Sequence, residues 1–279
     1  MALEEKPPRN YFVDKMCAVA GGAAGVGEAT VHALVARGAR VLILDVNDED
    51  GEALAILHGP KAIFIHWDPK DERGLEEALQ QAMKEFDLPL HAYIDCAAII
   101  GALGPIDRMH VESFAATLDT NVTSTFLGIK QAARVMKMDA VIGGAIVAMS
   151  STASVRGGLA PAAFTASQHA VIGLTQQAAA ELAPAGIRVN CVSPTIIDTP
   201  MWRKYLKGDV ATSLVQDLQS YQALPHLATV EDMANSIVFL ASDESAAITG
   251  SNVVVDGGAL SGIGGLADIP QGTGGHKCA

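Results

Sequence analysis

Short runs that are apolar at every position recur along the chain, and amphipathic segments such as residues 74–86 separate them. Such runs predict strands buried on both faces of a sheet, and the segments between them predict crossover helices. The pattern therefore predicts an α/β fold, a Rossmann-like doubly wound parallel sheet of about seven strands with helices on both faces. The predicted strands are residues 17–20, 41–44, 62–67, 92–96, 145–149, 188–192 and 252–255.

The chain is predicted to form one domain over residues 1–279, because no repeat or linker divides it. This length is within the range of a single domain built on one large α/β sheet. Residues 196–229 are less regular and contain Trp202, Tyr205 and Tyr221, so we expect a helical flap over a substrate pocket. Residues 262–279 are rich in glycine, and we expect a flexible tail there.

Composition narrows the class of ligand. Hydrophobic residues make up 49% of the chain and charged residues 18%, which favours a compact globular body over disorder. The net charge of −12 disfavours nucleic acid and anionic membranes, both of which attract basic patches. We therefore expect a small molecule as the ligand.

The four cysteines have no paired spacing, so free thiols in a reducing compartment explain them better than disulfides or a metal site. The first ten residues are polar and do not form a signal peptide, and no apolar run reaches the length of a membrane span. A cytoplasmic location, without membrane partner or metal, is expected. The cysteines are Cys17, Cys96, Cys191 and Cys278.

A glycine turn, with Gly21, Gly25 and Gly27, follows the first predicted strand and precedes a predicted helix over residues 28–37. Glycines there let the backbone approach a pyrophosphate, and the helix N-terminus supplies amide donors. Asp45, at the end of the second strand, can accept hydrogen bonds from ribose hydroxyls and would repel a 2′-phosphate. These features predict a dinucleotide site that favours NAD over NADP.

With these motifs the sequence resembles the short-chain dehydrogenase/reductase family, especially plant members similar to xanthoxin and secoisolariciresinol dehydrogenases. The resemblance runs from about Lys15 to about Gly258. Its motifs are the glycine turn, Asn121-Val122, Ser150-Ser151, residues 188–194, Thr199-x-Met201 and Asp256-Gly257-Gly258.

The resemblance implies a catalytic set of Asn, Ser, Tyr and a Lys four residues after the Tyr. It puts Asn121 and Ser151 at the first two positions, but Phe164 at the Tyr position and Gln168 at the Lys position. Phe has no ionisable hydroxyl, and neutral Gln cannot lower a neighbour's pKa. Because general acid–base help contributes about 10²–10⁴ in rate, ordinary alcohol–carbonyl redox chemistry is expected to be lost or very slow.

The resemblance also implies the residues that hold NAD. Four departures from the family pattern, at Ala20, Pro69, Ala98 and Gln168, each remove a contact to the cofactor, so its binding is expected to be weakened or lost. The implied cofactor residues are Gly21, Gly25, Val26, Gly27, Asp45, Asp68, Ala97, Ile197 and Thr199.

A substitute acid would have to come from elsewhere. His169 follows Gln168 on the predicted helix and is turned about 100° away from it, so we expect it outside the active site. Three tyrosines can act as proton donors only if the flap brings them into the pocket: Tyr93, Tyr205 and Tyr221.

Three functions remain open. The first is a non-redox enzyme, of cyclase or isomerase type, in which Ser151 and Asn121 bind a carbonyl or enol of a small lipophilic specialised metabolite. The second is an inactive subunit that partners an active relative. The third is an NAD-dependent alcohol dehydrogenase or ketone reductase with a substitute acid. The resemblance also implies a homodimer or homotetramer, with the helix containing residues 168–182 at the interface.

Overall fold

A computed structural model describes residues 11–138, 143–205 and 222–261. The described strands form one parallel sheet of seven strands in the order β3-β2-β1-β4-β5-β6-β7. This confirms the predicted Rossmann-like fold. The strands are β1 Met16–Ala20, β2 Arg40–Asp45, β3 Ala62–His66, β4 Leu90–Asp95, β5 Gly144–Met149, β6 Ile187–Pro194 and β7 Asn252–Val255.

Helices connect the strands and cover both faces of the sheet. Between α4 and α5 the chain makes a π-helical turn, Asp119–Thr123, which contains the predicted catalytic residue Asn121. The α-helices are α1 Gly25–Ala36, α2 Asp48–His58, α3 Glu72–Phe86, α4 Val111–Leu118, α5 Ser124–Met138, α6 Ala162–Leu182, α7 Pro200–Tyr205 and α8 Val230–Ala241.

Two apolar cores lie on opposite faces of the sheet, as the fully apolar strands predict. In β1, alternate residues enter the two cores: Cys17 and Val19 one, and Met16, Ala18 and Ala20 the other. All five β1 residues are completely buried. The centre of the sheet is therefore rigid, and it fixes the loops that leave its carboxyl edge.

Capping side chains fix where several helices begin. The Asn47 side chain accepts a hydrogen bond from the Asp50 N–H, and the Asp71 side chain accepts one from the Gly74 N–H. At α8, Thr229 and Asp232 form a reciprocal capping box. Helix α1 has no side-chain cap, and it begins at Gly25, three residues before the predicted start. Its first-turn amides are therefore available to a ligand.

Several expectations fall outside the described residues. Only part of the predicted flap over 196–229 is described, and the predicted tail over 262–279 lies outside, as do Tyr221 and Cys278. No helix in the described ranges is long and apolar enough to cross a membrane. Likewise, no group of three or more His, Cys, Asp or Glu side chains in those ranges could hold a metal ion.

Candidate active site at the carboxyl edge of the sheet

A cavity of about 290 Å³ opens at the carboxyl edge of the sheet. Its walls come from the residues that follow β1 to β6. The strand order reverses between β1 and β4, and in doubly wound folds ligands bind in the crevice at that reversal. The predicted site residues that line it are Gly21, Gly25, Val26, Gly27, Asp45, Ala97, Ser151, Phe164, Gln168, Ile197 and Thr199.

The glycine turn packs so closely that side chains cannot be accommodated at two of its positions. A Cβ on Gly27 would overlap the carbonyl oxygen of Gly21. A Cβ on Gly21 would lie 2.8 Å from the backbone nitrogen of Ala97, and Gly21 itself has φ of +68°. The loops after β1 and β4 therefore meet backbone to backbone, beneath the uncapped N-terminus of α1.

Asp45 ends β2 and faces the same cavity. Its Oδ2 accepts a hydrogen bond from the Ala23 N–H at 3.0 Å, and its Oδ1 accepts one from the Asn47 N–H at 3.1 Å. The carboxylate is thus fixed against the glycine turn. A narrow glycine turn, an open helix N-terminus and this carboxylate together fit the diphosphate and adenosine half of a dinucleotide.

Asp68, the predicted adenine contact, is exposed and does not line the cavity. Its Oδ1 accepts a hydrogen bond from the Lys70 N–H at 2.9 Å. Pro69 and Trp67 line the wall beside it, and the indole of Trp67 is 2% exposed. The adenine role of Asp68 stays a prediction, and the structure assigns this part of the wall to its two neighbours.

The far end of the cavity contains Ser151, Phe164 and Gln168. Ser151 follows β5, and its Oγ accepts a hydrogen bond from the Ala153 N–H at 3.2 Å. The hydroxyl of Ser150 donates to the backbone carbonyl of Gln168 at 3.2 Å, which ties this turn to α6. Phe164 and Gln168 lie four residues apart on α6 and both line the cavity, as their spacing predicts.

Asn121 lies behind the wall rather than in it. Its Oδ1 accepts a hydrogen bond from the Ile99 N–H, and its Nδ2 donates to the Ile99 carbonyl, both at 2.9 Å. Nδ2 also donates to the Ser167 hydroxyl at 3.0 Å. The side chain is 1% exposed. Its described contacts fix the loop after β4 to α6, and the structure does not bring its amide to the cavity.

Apolar side chains surround Phe164. Its ring is 4% exposed and packs with Ile100 and Ala153. The Trp202 ring meets it edge to face, with centroids 6.4 Å apart and 70° between the planes. Met201 and Ile99 extend the same wall, so this end of the cavity suits a lipophilic group.

Asp95 ends β4 just behind the cavity and is almost completely buried. Its Oδ1 accepts a hydrogen bond from the Ala97 N–H at 3.2 Å. No donor in the described structure lies within hydrogen-bonding distance and angle of its Oδ2. Burial raises the pKa of Asp95 to about 6, and the nearby Thr125 hydroxyl and the Ala97 N–H act in the opposite direction. Burial likewise raises the pKa of the neighbouring Cys96 thiol.

Two of the suggested substitute acids, His169 and Tyr93, are not among the residues that line this cavity. His169 is on the exposed side of α6, with its Nδ1 2.9 Å from the Thr165 carbonyl, in agreement with its predicted orientation. Tyr93 is completely buried in the sheet core, and burial raises the pKa of its hydroxyl well above the usual value.

The sequence prediction missed several wall residues. Several of them end a strand or follow one directly, and the rule that parallel strands present their carboxyl ends at one edge could have found those. Thr195 follows β6, for example, and Cys96 follows β4. The missed residues are Ala24, Val46, Trp67, Cys96, Ile99, Thr120, Met149, Pro194, Thr195, Pro200 and Met201. Trp202 of the predicted flap also lines the cavity, as do Ser150 of the family motif and Pro69 and Ala98, which were expected to weaken contacts to the cofactor.

Comparison with known proteins identifies the family. A family model described as enoyl-(acyl carrier protein) reductase matches residues 21–259. A short-chain type dehydrogenase/reductase from Mycobacterium ulcerans superimposes with a TM-score of 0.81 at 30% identity, covering 90% of this chain and 91% of that one. The chain belongs to the short-chain dehydrogenase/reductase family.

Two plant relatives place it within the family. Sex determination protein tasselseed-2 of Zea mays is 38% identical over 273 residues, covering 88% of this chain and 81% of the relative. Xanthoxin dehydrogenase of Arabidopsis thaliana is 38% identical over 263 residues, covering 90% of this chain and 91% of the relative. Members of this family are enzymes whose Rossmann-like fold typically binds NAD or NADP, and the predicted similarity to xanthoxin dehydrogenase is confirmed.

Proposed function

We propose that the protein is a non-redox enzyme, of cyclase or isomerase type, acting on a small lipophilic specialised metabolite. The supporting observation is that the described cavity wall brings no acid or base close to Phe164 and Gln168. Among the described residues lining the cavity, only Asp45 and Cys96 are ionisable. Asp45 is held at the glycine turn, and burial keeps the Cys96 thiol neutral by raising its pKa.

The register of the family resemblance supports the same proposal. Phe164 and Gln168 stand where that resemblance expects the catalytic Tyr and Lys. A phenyl ring can neither give nor take a proton, and a neutral amide cannot lower the pKa of a neighbouring acid. Without this pair, alcohol oxidation loses about 10²–10⁴ in rate.

Neutral donors remain for a different reaction. The Ser151 hydroxyl and the Gln168 amide are suited to stabilise charge that develops on a carbonyl or enol oxygen. The apolar wall of Phe164 and Trp202 would hold the carbon skeleton in a reactive conformation. Cyclisation and isomerisation change neither the composition nor the overall oxidation state of the substrate. We assign Asn121 to holding the loop after β4, because Ile99 and Ser167 engage its amide.

For the cofactor we propose NAD, held by the glycine turn and Asp45, whose carboxylate would repel the extra phosphate of NADP. When bound, a nicotinamide dinucleotide supplies hydride-transfer chemistry. The neutral Gln168 gives the nicotinamide end of NAD no cationic partner, so we expect weakened NAD binding.

A homodimer or homotetramer built on α5 and α6 is also proposed, supported by Phe126 of α5, which is 48% exposed.

A second candidate is an NAD-dependent alcohol dehydrogenase or ketone reductase. The names of relatives favour it, since xanthoxin dehydrogenase is named for redox chemistry. It requires an acid from outside the described wall. Our proposal and this candidate differ in one measurable property, oxidation of an alcohol coupled to NAD reduction.

The decisive experiment compares the wild type with the double variant Phe164→Tyr, Gln168→Lys. Each protein is assayed for NAD reduction with terpenoid and phenylpropanoid alcohols and titrated calorimetrically with NAD and NADH. We expect tighter NAD binding by the double variant and a wild-type rate at least about 10²-fold below that of the double variant. A wild-type rate typical of dehydrogenases would overturn the proposal.

A further inference from the structure

Two imidazole rings from different helices meet between α1 and α2. Nδ1 of His32, on α1, lies 2.9 Å from Nε2 of His58, the last residue of α2, and the ring centroids are 4.9 Å apart. The His32 side chain is 42% exposed, so water reaches the pair. Neither residue lines the cavity. The pair therefore offers two nitrogen ligands at one accessible point that the proposed function does not use.

The distance between the two nitrogens suits one class of metal ion. Transition metals bind imidazole nitrogen at about 2.0–2.1 Å. Two such bonds at a right angle place the nitrogens about 2.9 Å apart, whereas the tetrahedral angle places them about 3.3 Å apart. Right-angle geometry is typical of Cu²⁺ and Ni²⁺, and tetrahedral geometry is typical of Zn²⁺. The observed separation of 2.9 Å matches the right angle.

The surroundings of the pair favour a bound cation. Glu28 Oε1 lies 3.9 Å from Nε2, the second ring nitrogen of His32, and metal-binding histidines commonly place that nitrogen against a carboxylate. His58 ends α2, where the helix dipole favours positive charge. Burial, followed by the charges of His32 and Lys61, lowers the pKa of His58. Its imidazole is therefore neutral at pH 7, which is the form that binds metal.

We propose that His32 Nδ1 and His58 Nε2 bind a divalent transition-metal cation, Cu²⁺ or Ni²⁺, with water at its remaining positions and Glu28 orienting the His32 ring. In the metal-free pair one nitrogen donates its hydrogen to the other. On binding, that hydrogen leaves as a proton, and each nitrogen gives a lone pair to the metal. With two protein ligands, the site is smaller than the groups of three or more that the described ranges lack. It lies outside the cavity, so the inference is independent of the proposed function.

Calorimetric titration of the untagged full chain with NiCl₂ tests the affinity of the site. We expect one equivalent of Ni²⁺ to bind the wild type at least about tenfold more tightly than it binds His32→Gln or His58→Gln. His66→Gln is the matched control and should retain wild-type affinity, because His66 pairs with the Asp48 carboxylate at 2.7 Å rather than with an imidazole. Equal affinities of the wild type and the first two variants, or an equal loss in His66→Gln, would overturn the proposal.

Cu²⁺ supplies a readout that does not require a variant to fold. Pulsed electron paramagnetic resonance of the wild type with one equivalent of Cu²⁺ should show coupling to two bound imidazoles, and His58→Gln should show one. A single imidazole in the wild type would overturn the proposal and leave the contact as a hydrogen bond only. Glu28→Gln should keep both imidazoles and lower the Ni²⁺ affinity by about tenfold. An unchanged affinity would overturn the role assigned to Glu28.

Discussion

The ring of Phe164 meets the ring of Trp202 edge to face, with centroids 6.4 Å apart. This contact joins the first turn of α6 to α7, and both rings line the cavity. Edge-to-face pairs bring the positive edge of one ring to the negative face of the other. This attraction stabilises the pair beyond the contribution of apolar burial. The lipophilic end of the cavity is therefore held by a specific aromatic contact.

The first prediction concerns the energy of this contact. A double-mutant cycle with Phe164→Leu and Trp202→Leu should give a coupling of about 0.5–1.5 kcal/mol in the free energy of unfolding. Urea unfolding of the wild type, both single variants and the double variant measures it. Phe164→Leu combined with Phe239→Leu, a 41% exposed residue of α8, is the control and should be additive within about 0.5 kcal/mol. Additivity in the Phe164–Trp202 cycle as well would contradict the prediction.

The second prediction concerns two glycines in helices. In Gly27→Ala the new methyl group would overlap the Gly21 carbonyl oxygen, which belongs to the backbone and cannot move freely. We expect a loss of stability of about 1–3 kcal/mol or more. A Cβ on Gly173 of α6 would meet nothing within 4 Å, so Gly173→Ala should raise stability by about 0.5–1 kcal/mol. Thermal and urea unfolding measure both, and equal effects of the two changes would contradict this account.

The sequence predicted the fold well because the central strands, such as β1 and β2, are buried on both faces and are apolar at nearly every position. The ends of the helices were predicted less accurately: the first helix begins at Gly25 instead of Glu28. Its first turn lacks an apolar pattern and consists mainly of the glycines of the turn. Periodicity cannot mark a helix start that is defined by backbone geometry alone.

The site was predictable where residues follow strands or share a helical face. Gln168 and Phe164 both line the cavity because four residues make about one helical turn. The position of Asn121 was not predictable, because Ile99 and Ser167, which engage it, lie 22 and 46 residues away in sequence. Nor does sequence reveal that Asp95 is buried with one oxygen unpaired, since burial of a carboxylate depends on the packing of the neighbouring loops.

The third prediction follows from the position of Asn121. Asn121→Ala removes hydrogen bonds to both polar backbone groups of Ile99 and to the Ser167 hydroxyl, although that hydroxyl keeps its bond to the Phe164 carbonyl. Because each lost hydrogen bond contributes about 1 kcal/mol, stability should fall by about 2–4 kcal/mol. Asn235→Ala removes one exposed contact with Arg37 and should change stability by less than about 0.5 kcal/mol. If Asn121→Ala were as mild as this control, the loop would be held by other contacts.

The last prediction concerns the pH dependence of stability that arises from Asp95. Burial raises the pKa of its carboxyl from 3.8 to about 6 in the folded chain. Between these two pH values the folded state binds a proton that the unfolded state does not, so stability decreases as pH rises. The penalty is absent below the unfolded pKa and complete above the folded one. A pKa of about 6 in place of 3.8 corresponds to a penalty of about 3 kcal/mol.

Asp95→Asn keeps the shape of the side chain and removes the charge. The variant should therefore be more stable than the wild type by up to about 3 kcal/mol at pH 7, and the difference should shrink as pH falls from 6 towards 4. Urea unfolding at intervals from pH 4 to pH 8 measures this difference, with Asp107→Asn, an exposed carboxylate, as the surface control. A difference independent of pH would contradict the assigned shift. Tyr93 and Cys96 lie beside Asp95, and burial raises the pKa of both, so neither gains a charge in this range and the change is attributable to Asp95.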